Sequence, residues 1–326
     1  MKHVVIGSSG FLGRELVRLL ADRDGDTVIA IDETEQPADL PAGVSFVRAD
    51  IAVGGTLDAV DPSGDTVVHH LASRLITPNK PRFNRYDFFA RTSVTGTRNV
   101  LDWMQAKGGK RLVFWSTDMV YGPQPKAPFD ETAPPVPVGP YGRTKLIAEA
   151  MVQDAAKDWL EGGTILRPRL IIGAGRLGIL EKLFNQVRAN GRVPTFGQGN
   201  NRFQFVSVTD CARASILAAE RGCPSDIFNL GSDNPPTVKT LLETFIANAG
   251  SRSKLFAIND TLLVGTLDFL NWFTLSPMDP EQYRIAAADM VLSTEKARKV
   301  LGWVPEHSDQ DMLEAAFQTY TPKAGA

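Results

Sequence analysis

The chain has 326 residues, 43% hydrophobic and 22% charged, which is enough for a large domain with an additional lobe. Its 35 basic and 37 acidic residues give a net charge of −2, and this balance argues against nucleic-acid binding, which needs a basic excess. Two cysteines, Cys211 and Cys223, form neither a disulfide framework nor a metal-binding spacing, so we expect a cytoplasmic protein with reduced thiols.

In the first half of the chain, short β-rich segments alternate with helical patterns, as in a parallel sheet with crossover helices. A proline-rich loop is predicted at 123–140. The fold class is therefore α/β, with a Rossmann-type doubly wound parallel sheet. Strands are predicted at 3–6, 27–31, 44–47, 66–71, 111–115 and 164–166, and helices at 11–20, 84–107 and 142–160, the last preceded by Tyr141 at its start.

After Pro168 the alternation weakens, which indicates a smaller C-terminal α/β lobe. We assign 1–175 to a cofactor-binding domain and 176–326 mainly to a substrate-binding lobe, and we expect 206–232 to return to the first domain. The apolar segment 262–273 is interpreted as a core helix or a dimer contact, with the wall of an apolar substrate pocket as the alternative, and it is too short to span a membrane. Strands are predicted at 202–206 and 226–230, and helices at 179–188, 209–221, 237–249 and 293–301.

A glycine-rich loop, Gly7-Ser8-Ser9-Gly10-Phe11-Leu12-Gly13, connects the first strand to the first helix. Glycines allow a tight turn and a close backbone approach, and the helix N-terminus favours a pyrophosphate. Asp32 ends the second strand, where a carboxylate accepts hydrogen bonds from an adenosine ribose and repels a 2′-phosphate. This context predicts a site for NAD rather than NADP; the alternative is a structural turn with a surface aspartate.

Tyr141 and Lys145 are four residues apart on a predicted helix and therefore project from one face. A cation beside a phenol favours the phenolate. Lowering a tyrosine pKa from about 10 to about 7 takes roughly 4 kcal/mol, which one charge at about 4 Å supplies at an effective dielectric of about 20. The pair is a candidate proton-transfer device; the alternative is a solvated helix face.

Further motifs occur along nearly the whole chain: Asp50-Ile51, His70-Leu71-Ala72-Ser73, Ser116-Thr117-Asp118-Met119-Val120-Tyr121-Gly122, Leu166-Arg167-Pro168, Phe205-Val206-Ser207-Val208-Thr209-Asp210 and Phe228-Asn229-Leu230-Gly231-Ser232. With the glycine loop and the Tyr141/Lys145 pair, they resemble the extended short-chain dehydrogenase/reductase family, in its NAD-dependent epimerase/dehydratase branch, which includes the UDP-galactose 4-epimerases.

The resemblance implies roles for individual residues. Tyr141 is the expected general acid/base, and Lys145 is expected to hold the nicotinamide ribose and lower the tyrosine pKa. Thr117 is expected to hydrogen-bond the reacting oxygen, with Ser116 as an alternative hydroxyl. We interpret Tyr121, His69 and His70 as core residues. The expected cofactor contacts are Gly7, Gly10, Phe11, Leu12, Gly13, Asp32, Asp50, Ile51, Leu71, Ala72, Ser73 and Lys145.

Three positions depart from the family pattern. Met119 stands where the dehydratase subgroup has a glutamate, and a thioether cannot donate or accept the proton, so dehydration is disfavoured. Leu170 replaces an asparagine that often contacts a nucleotide-sugar phosphate, and Ser93 replaces another asparagine. The candidate substrate contacts are Asp118, Arg202, which matches a family arginine that pairs with a diphosphate, and Arg284.

Three functions compete. The first is a nucleotide-sugar epimerase, in which a transient keto intermediate is reduced again from its other face. The second is a net dehydrogenase or ketoreductase of an apolar, sterol-like or other non-nucleotide alcohol, motivated by Met119, Leu170 and segment 262–273. The third, a non-catalytic cofactor sensor, is disfavoured because Tyr141 and Lys145 are both present. The helices at 84–107 and 142–160 resemble those of a dimeric four-helix bundle, so we also expect a homodimer.

Overall fold

The structure is a computed structural model that describes residues 1–75, 81, 83–174, 180–272 and 279–320. Within these ranges the strands are β1 (Lys2–Ile6), β2 (Thr27–Asp32), β3 (Ser45–Arg48), β4 (Thr66–His70), β5 (Arg111–Trp115), β6 (Gly162–Pro168), β7 (Leu170–Ile172), β8 (Arg192–Phe196), β9 (Phe205–Ser207), β10 (Ile227–Leu230) and β11 (Lys254–Ile258). The helices are α1 (Phe11–Ala21), α2 (Arg85–Ala90), α3 (Thr97–Lys107), α4 (Pro140–Asp158), α5 (Leu180–Arg188), α6 (Val208–Glu220), α7 (Val238–Asn248), α8 (Asp260–Trp272), α9 (Pro280–Ala287) and α10 (Asp309–Gln318).

A seven-stranded sheet forms the centre of the molecule, in the order β10-β6-β5-β4-β1-β2-β3. Every pair of neighbouring strands in it is parallel. The strand order reverses between β1 and β4, so a crevice opens where their carboxyl ends meet. The predicted Rossmann-type doubly wound sheet is confirmed.

Both faces of this sheet are covered by helices. Val4 and Val5 point to opposite faces, as successive strand residues do, and neither is exposed to solvent. Val5 packs with Leu16 of α1 and Ala212 of α6, whereas Val4 packs in the second cluster with Met104 of α3. Strands that are buried on both sides read as continuous apolar runs, which is why they were recognisable in the sequence.

The predicted helix over 84–107 is divided into three segments. A π-helical segment, Arg91–Gly96, separates α2 from α3. Its last residue lies against Ile51, whose Cδ1 atom would be 2.7 Å from a Cβ at Gly96. The predicted loop at 123–140 is irregular apart from a bridge at Phe129, and Pro140 becomes the first residue of α4.

The C-terminal half has its own core between α5, α7 and α10, with Phe184, Phe245 and Leu313 inside it. Two small parallel sheets, β7/β9 and β8/β11, accompany it, and β7, β8 and β11 were not predicted. β10 pairs with β6 in the main sheet. The assignment of 1–175 and 176–326 to cofactor and substrate stays a proposal.

The apolar segment 262–273 corresponds to α8, and Phe273 lies outside the described residues. Only Leu267 of this helix is buried, whereas Leu262 and Trp272 are 70% and 83% exposed. The interpretation as a core helix is therefore wrong within this single chain, and the dimer contact stays a prediction. None of the described helices is long and apolar enough to cross a bilayer.

Several polar side chains are buried in the main domain. His69 lies between His3 and Ser215, with Nε2–Nδ1 and Nδ1–Oγ distances of 2.9 and 2.8 Å. His70 contacts the Thr97 hydroxyl at 3.0 Å, and burial lowers its pKa to about 3. Both histidines are therefore core groups, as interpreted from the sequence. Cys211 and Cys223 are also buried, and burial raises the pKa of the Cys223 thiol to about 12.

Candidate active site

The glycine loop lies at the carboxyl end of β1, where the strand order reverses. Gly7 has φ +87°, and a Cβ there would be 2.6 Å from the backbone nitrogen of Ala72. A Cβ at Gly13 would lie 2.8 Å from the Cα of Ser8. These positions require glycine because backbone segments, which cannot rotate away, occupy the space of a side chain.

The loop fits a dinucleotide phosphate. No side chain caps the N-terminus of α1, and its first turn contains no acidic residue. The hydroxyls of Ser8 and Ser9 are buried without a hydrogen-bond partner among the described residues. A neighbouring cavity of about 860 Å³ is lined by Ser8, Ser9 and Phe11. Uncapped backbone donors and orphaned hydroxyls suit a pyrophosphate, which would be held by the loop and the start of α1.

Asp32 stands beside this loop at the end of β2. Its carboxylate accepts hydrogen bonds from the Ser9 backbone N–H at 2.9 Å and from the Thr34 hydroxyl at 2.9 Å. Arginines distant in sequence reach the same edge, but each is paired with a carboxylate: Arg14 with Asp39 at 3.1 Å, Arg74 with Glu33 at 3.5 Å, and Arg48 with Glu35. This neutralised edge suits the unphosphorylated ribose of NAD better than a 2′-phosphate.

The remaining predicted cofactor residues follow the neighbouring strands. Asp50 forms an ion pair with Arg91 at 2.6 Å and accepts a hydrogen bond from the backbone N–H of Ala52. Ile51 is buried against the π-helical segment. Leu71, Ala72 and Ser73 follow β4 directly, and the Leu71 N–H bonds the carbonyl of Ile6. The structure thus places Leu71–Ser73 beside the glycine loop at the switch point.

Tyr141 and Lys145 lie in the first turns of α4, as predicted. Tyr141 is 7% exposed and its ring contacts Phe89 edge-on, with centroids 5.4 Å apart. Lys145 is fully enclosed, and its ammonium donates to the carbonyl of Trp115 at 2.5 Å and lies 4.5 Å above the ring of Phe114. The amine is therefore fixed at the carboxyl end of β5.

The charge of Lys145 is set by two opposing effects. Burial lowers its pKa to about 8, whereas the Glu149 carboxylate opposes that decrease. Glu149 is itself held by Arg167 through hydrogen bonds of 2.9 and 2.5 Å. Lys145 is thus an enclosed ammonium whose pKa of about 8 lies below its usual value, because burial outweighs the effect of the Glu149 carboxylate.

Thr117 precedes a 3-10 turn, Asp118–Val120, that lies against the start of α4. Its hydroxyl accepts from the Met119 N–H and donates to the Asp118 carboxylate, both at 3.2 Å. The hydroxyl of Ser116 is buried without a partner among the described residues. Tyr121 donates to Asn229 at 2.8 Å in the core, in agreement with its interpretation as a packing residue.

The predicted substrate arginines are already engaged by carboxylates. Arg202 bonds Asp289 through its backbone N–H and its guanidinium, at 2.8 to 3.2 Å. Arg284 bonds Asp268 at 2.9 and 3.0 Å and is partly exposed. Neither carboxylate partner was predicted, because each lies far from its arginine in the sequence or in a different helix.

Two buried charged residues were not recognised as site candidates. Arg169 forms an ion pair with Asp118, yet its Nε and Nη2 atoms have no partner among the described residues. Glu281 of α9 accepts a hydrogen bond from the Gly142 N–H at 2.7 Å, in the first turn of α4. A buried donor without a hydrogen bond costs about 1–3 kcal/mol of folding free energy, so the two Arg169 donors that lack a partner in the described part of the chain indicate a candidate functional residue. The only local signal was an arginine placed directly after a buried strand.

Comparison with known proteins relates this geometry to a family. A model of the NAD dependent epimerase/dehydratase family matches residues 3–231. The chain is 30% identical to the uncharacterized protein y4nG of Sinorhizobium fredii, over 97% of this chain and 78% of y4nG. It is 29% identical to a 2-alkyl-3-oxoalkanoate reductase of Stenotrophomonas maltophilia, over 96% of this chain and 97% of that protein.

A UDP-glucose 4-epimerase of Lactobacillus helveticus is 28% identical over 95% of this chain and 94% of its own length. Among solved structures, MoeE5 in complex with UDP-glucuronic acid and NAD superposes with a TM-score of 0.76 at 23% identity, covering 98% of both chains. That similarity shows a common fold. The chain therefore belongs to the NAD dependent epimerase/dehydratase family and is an NAD-dependent enzyme.

Proposed function

We propose that the enzyme oxidises a hydroxyl-bearing carbon of a nucleotide sugar reversibly and thereby inverts its configuration. NAD, when bound at the glycine loop, supplies the hydride-accepting chemistry. Tyr141 removes the hydroxyl proton and returns it when the carbonyl is reduced again. Thr117 holds the reacting oxygen through its hydroxyl, and Lys145 stabilises the phenolate.

One observation supports the proposal: α4, which carries Tyr141 and Lys145, lies against the turn that begins at Thr117, beyond the end of β5. Lys145 donates to Trp115, which is two residues before Thr117, and the Gly142 backbone lies against the Met119 carbonyl. General acid/base groups have to stand within hydrogen-bond reach of one oxygen, and we propose that Tyr141 and Thr117 meet the reacting oxygen at this end of β5. A UDP-glucose 4-epimerase among the relatives supports a nucleotide sugar as the substrate class.

A second candidate is a net reductase of a non-nucleotide oxo compound, and the arginines favour it. Asp289 holds Arg202, and Leu170 stands at the position of a phosphate-contacting asparagine, so a diphosphate would have to displace an ion pair to find a cation there. The 2-alkyl-3-oxoalkanoate reductase among the relatives has a substrate with no nucleotide in its name, and its full-length similarity supports this alternative.

The test has two arms: UDP-glucose or UDP-galactose is incubated with NAD and followed by NMR and by absorbance at the nicotinamide band, and a 2-alkyl-3-oxo acid is incubated with NADH and followed by the same absorbance. An epimerase interconverts the two sugars without accumulating NADH. A net reductase consumes NADH with a 2-alkyl-3-oxo acid and leaves both sugars unchanged, and that result would replace the epimerase proposal.

Tyr141→Phe should reduce turnover about 10²–10⁴-fold, because it removes the acid/base group, and should leave NAD affinity unchanged. Tyr86→Phe is the matched control, since Tyr86 is 45% exposed on α2. Full activity in Tyr141→Phe would exclude the proposed acid/base, whichever substrate is turned over.

A further inference from the structure

Arg169 occupies the junction between the two parts of the molecule. It directly follows β6 of the central sheet and precedes β7 of the C-terminal half. Its backbone N–H bonds the carbonyl of Leu230 at 2.9 Å, and only 3% of the residue is exposed. An arginine buried this deeply is rare unless its charge has a partner.

One end of the guanidinium is fixed beside the proposed reaction centre. Its Nη1 atom forms an ion pair with Asp118, and the Asp118 carboxylate accepts from the Thr117 hydroxyl at 3.2 Å. The guanidinium carbon lies 4.6 Å from the ring centroid of Phe203, so the group is clamped between an aromatic face and a carboxylate. Arg169 is therefore connected through Asp118 to the Thr117 hydroxyl, which is proposed to bind the reacting oxygen.

The other edge of the same guanidinium makes no hydrogen bond within the part of the chain that the structure describes. Nε and Nη2 are both buried, and neither has a hydrogen-bond partner among the described residues. These two nitrogens carry parallel N–H groups on one side of a planar fork, the geometry that matches both oxygens of a carboxylate. Because the pair with Asp118 uses only Nη1, both donors of the bidentate edge are left without a hydrogen bond to any described residue.

We propose that the Nε/Nη2 edge of Arg169 is a subsite for a substrate carboxylate that lies close to the reacting carbon. This inference rests on the proposed function and deepens it, because it predicts an acid rather than a neutral substrate. Arg169 would then bridge two carboxylates, that of Asp118 and that of the substrate, which the five N–H donors of a guanidinium allow. A uronic acid nucleotide and a 3-oxo acid both satisfy this chemistry.

The test measures binding, so it does not depend on turnover. The dissociation constants of two matched pairs are determined from thermal stabilisation with saturating NAD: UDP-glucuronate against UDP-glucose, and a 2-alkyl-3-oxo acid against its methyl ester. Wild-type protein should bind the acid of one pair at least about tenfold more tightly than its neutral partner, a difference of about 1.4 kcal/mol. The pair that shows the preference identifies the source of the carboxylate.

Arg169→Lys should abolish most of that preference, because a lysine keeps a charge for Asp118 but loses the fork. Arg298→Lys, at a partly exposed ion pair with Asp233, should leave the preference intact. Equal binding of acid and neutral ligands by wild-type protein, or binding of neither acid, would overturn the subsite. A preference for the acid without Tyr141-dependent turnover would instead keep the subsite and overturn the proposed function.

Discussion

Glu281 caps the helix that carries Tyr141 and Lys145. Its substitution by glutamine is predicted to stabilise the folded protein above neutral pH, although it removes a charge from the helix cap. The carboxylate accepts from the Gly142 N–H at 2.7 Å, and Gly139 leaves room for it, because a Cβ there would collide with the Glu281 side chain. Such a cap would ordinarily stabilise α4 as an anion. Burial dominates instead and raises the pKa of Glu281 to about 7, and the neighbouring Asp279 adds to the effect.

The magnitude follows from the two pKa values. A carboxyl whose pKa moves from 4.5 to about 7 on folding binds more protons in the folded state between these values. The free energy of unfolding therefore decreases as pH rises through that window, by up to roughly 3 kcal/mol, at about 1.4 kcal/mol per pH unit. Arg143 opposes the shift, and Arg85 is paired with Asp279 close by.

Glu281→Gln removes this titration but keeps an oxygen that accepts from Gly142. Urea unfolding should give similar stabilities for wild type and variant at pH 4.5, and the variant should be more stable by about 2–3 kcal/mol at pH 8. The exposed Glu295→Gln substitution is the control. A difference between Glu281→Gln and wild type that does not change with pH would refute the reasoning.

Three further predictions concern the glycine loop, the buried ion pair and assembly. Gly13→Ala should weaken NAD binding and cost about 1–3 kcal/mol of stability, because backbone atoms occupy the space of its Cβ; Gly54→Ala, with open space around it, is the control, and calorimetry with NAD is the measurement. Glu149→Gln should lower the pKa of Lys145 below about 8, visible by NMR of the lysine, and should cost about 3–5 kcal/mol because Arg167 loses its buried partner. Sedimentation should show a homodimer, and a monomer at all concentrations would contradict the four-helix arrangement predicted from α2–α4.

The parts of the fold that were predictable carry local signals. The main-sheet strands are apolar runs bounded by turns, and the glycine loop and the Tyr141/Lys145 spacing are contained within a few residues each. Short local patterns can be read from sequence because their physical cause lies within the same segment. The strands β8 and β11 have no such pattern, since each is only partly buried and includes charged or small residues.

The polar contacts of the candidate site were not predictable, because they join residues that are far apart in the sequence. The partner of Asp118 is 51 positions away, that of Arg202 is 87 positions away, and the Gly142 N–H is capped from 139 positions away. Which carboxylate reaches which arginine depends on how the two halves of the chain come together. The sequence therefore indicated the charged candidates Asp118, Arg202 and Arg284, but not whether their charge is already neutralised.

The labelling rate of a buried thiol can report how often this protein opens. Cys223 lies against the backbone at Gly162, and its high pKa keeps the reactive thiolate scarce while the chain is folded. An aromatic disulfide reagent should therefore label Cys223 only during excursions that expose the β6–α6 region. Comparing the Cys223 labelling rate of Glu281→Gln with that of wild type would show how the substitution changes the frequency of such openings, under native conditions and without denaturant.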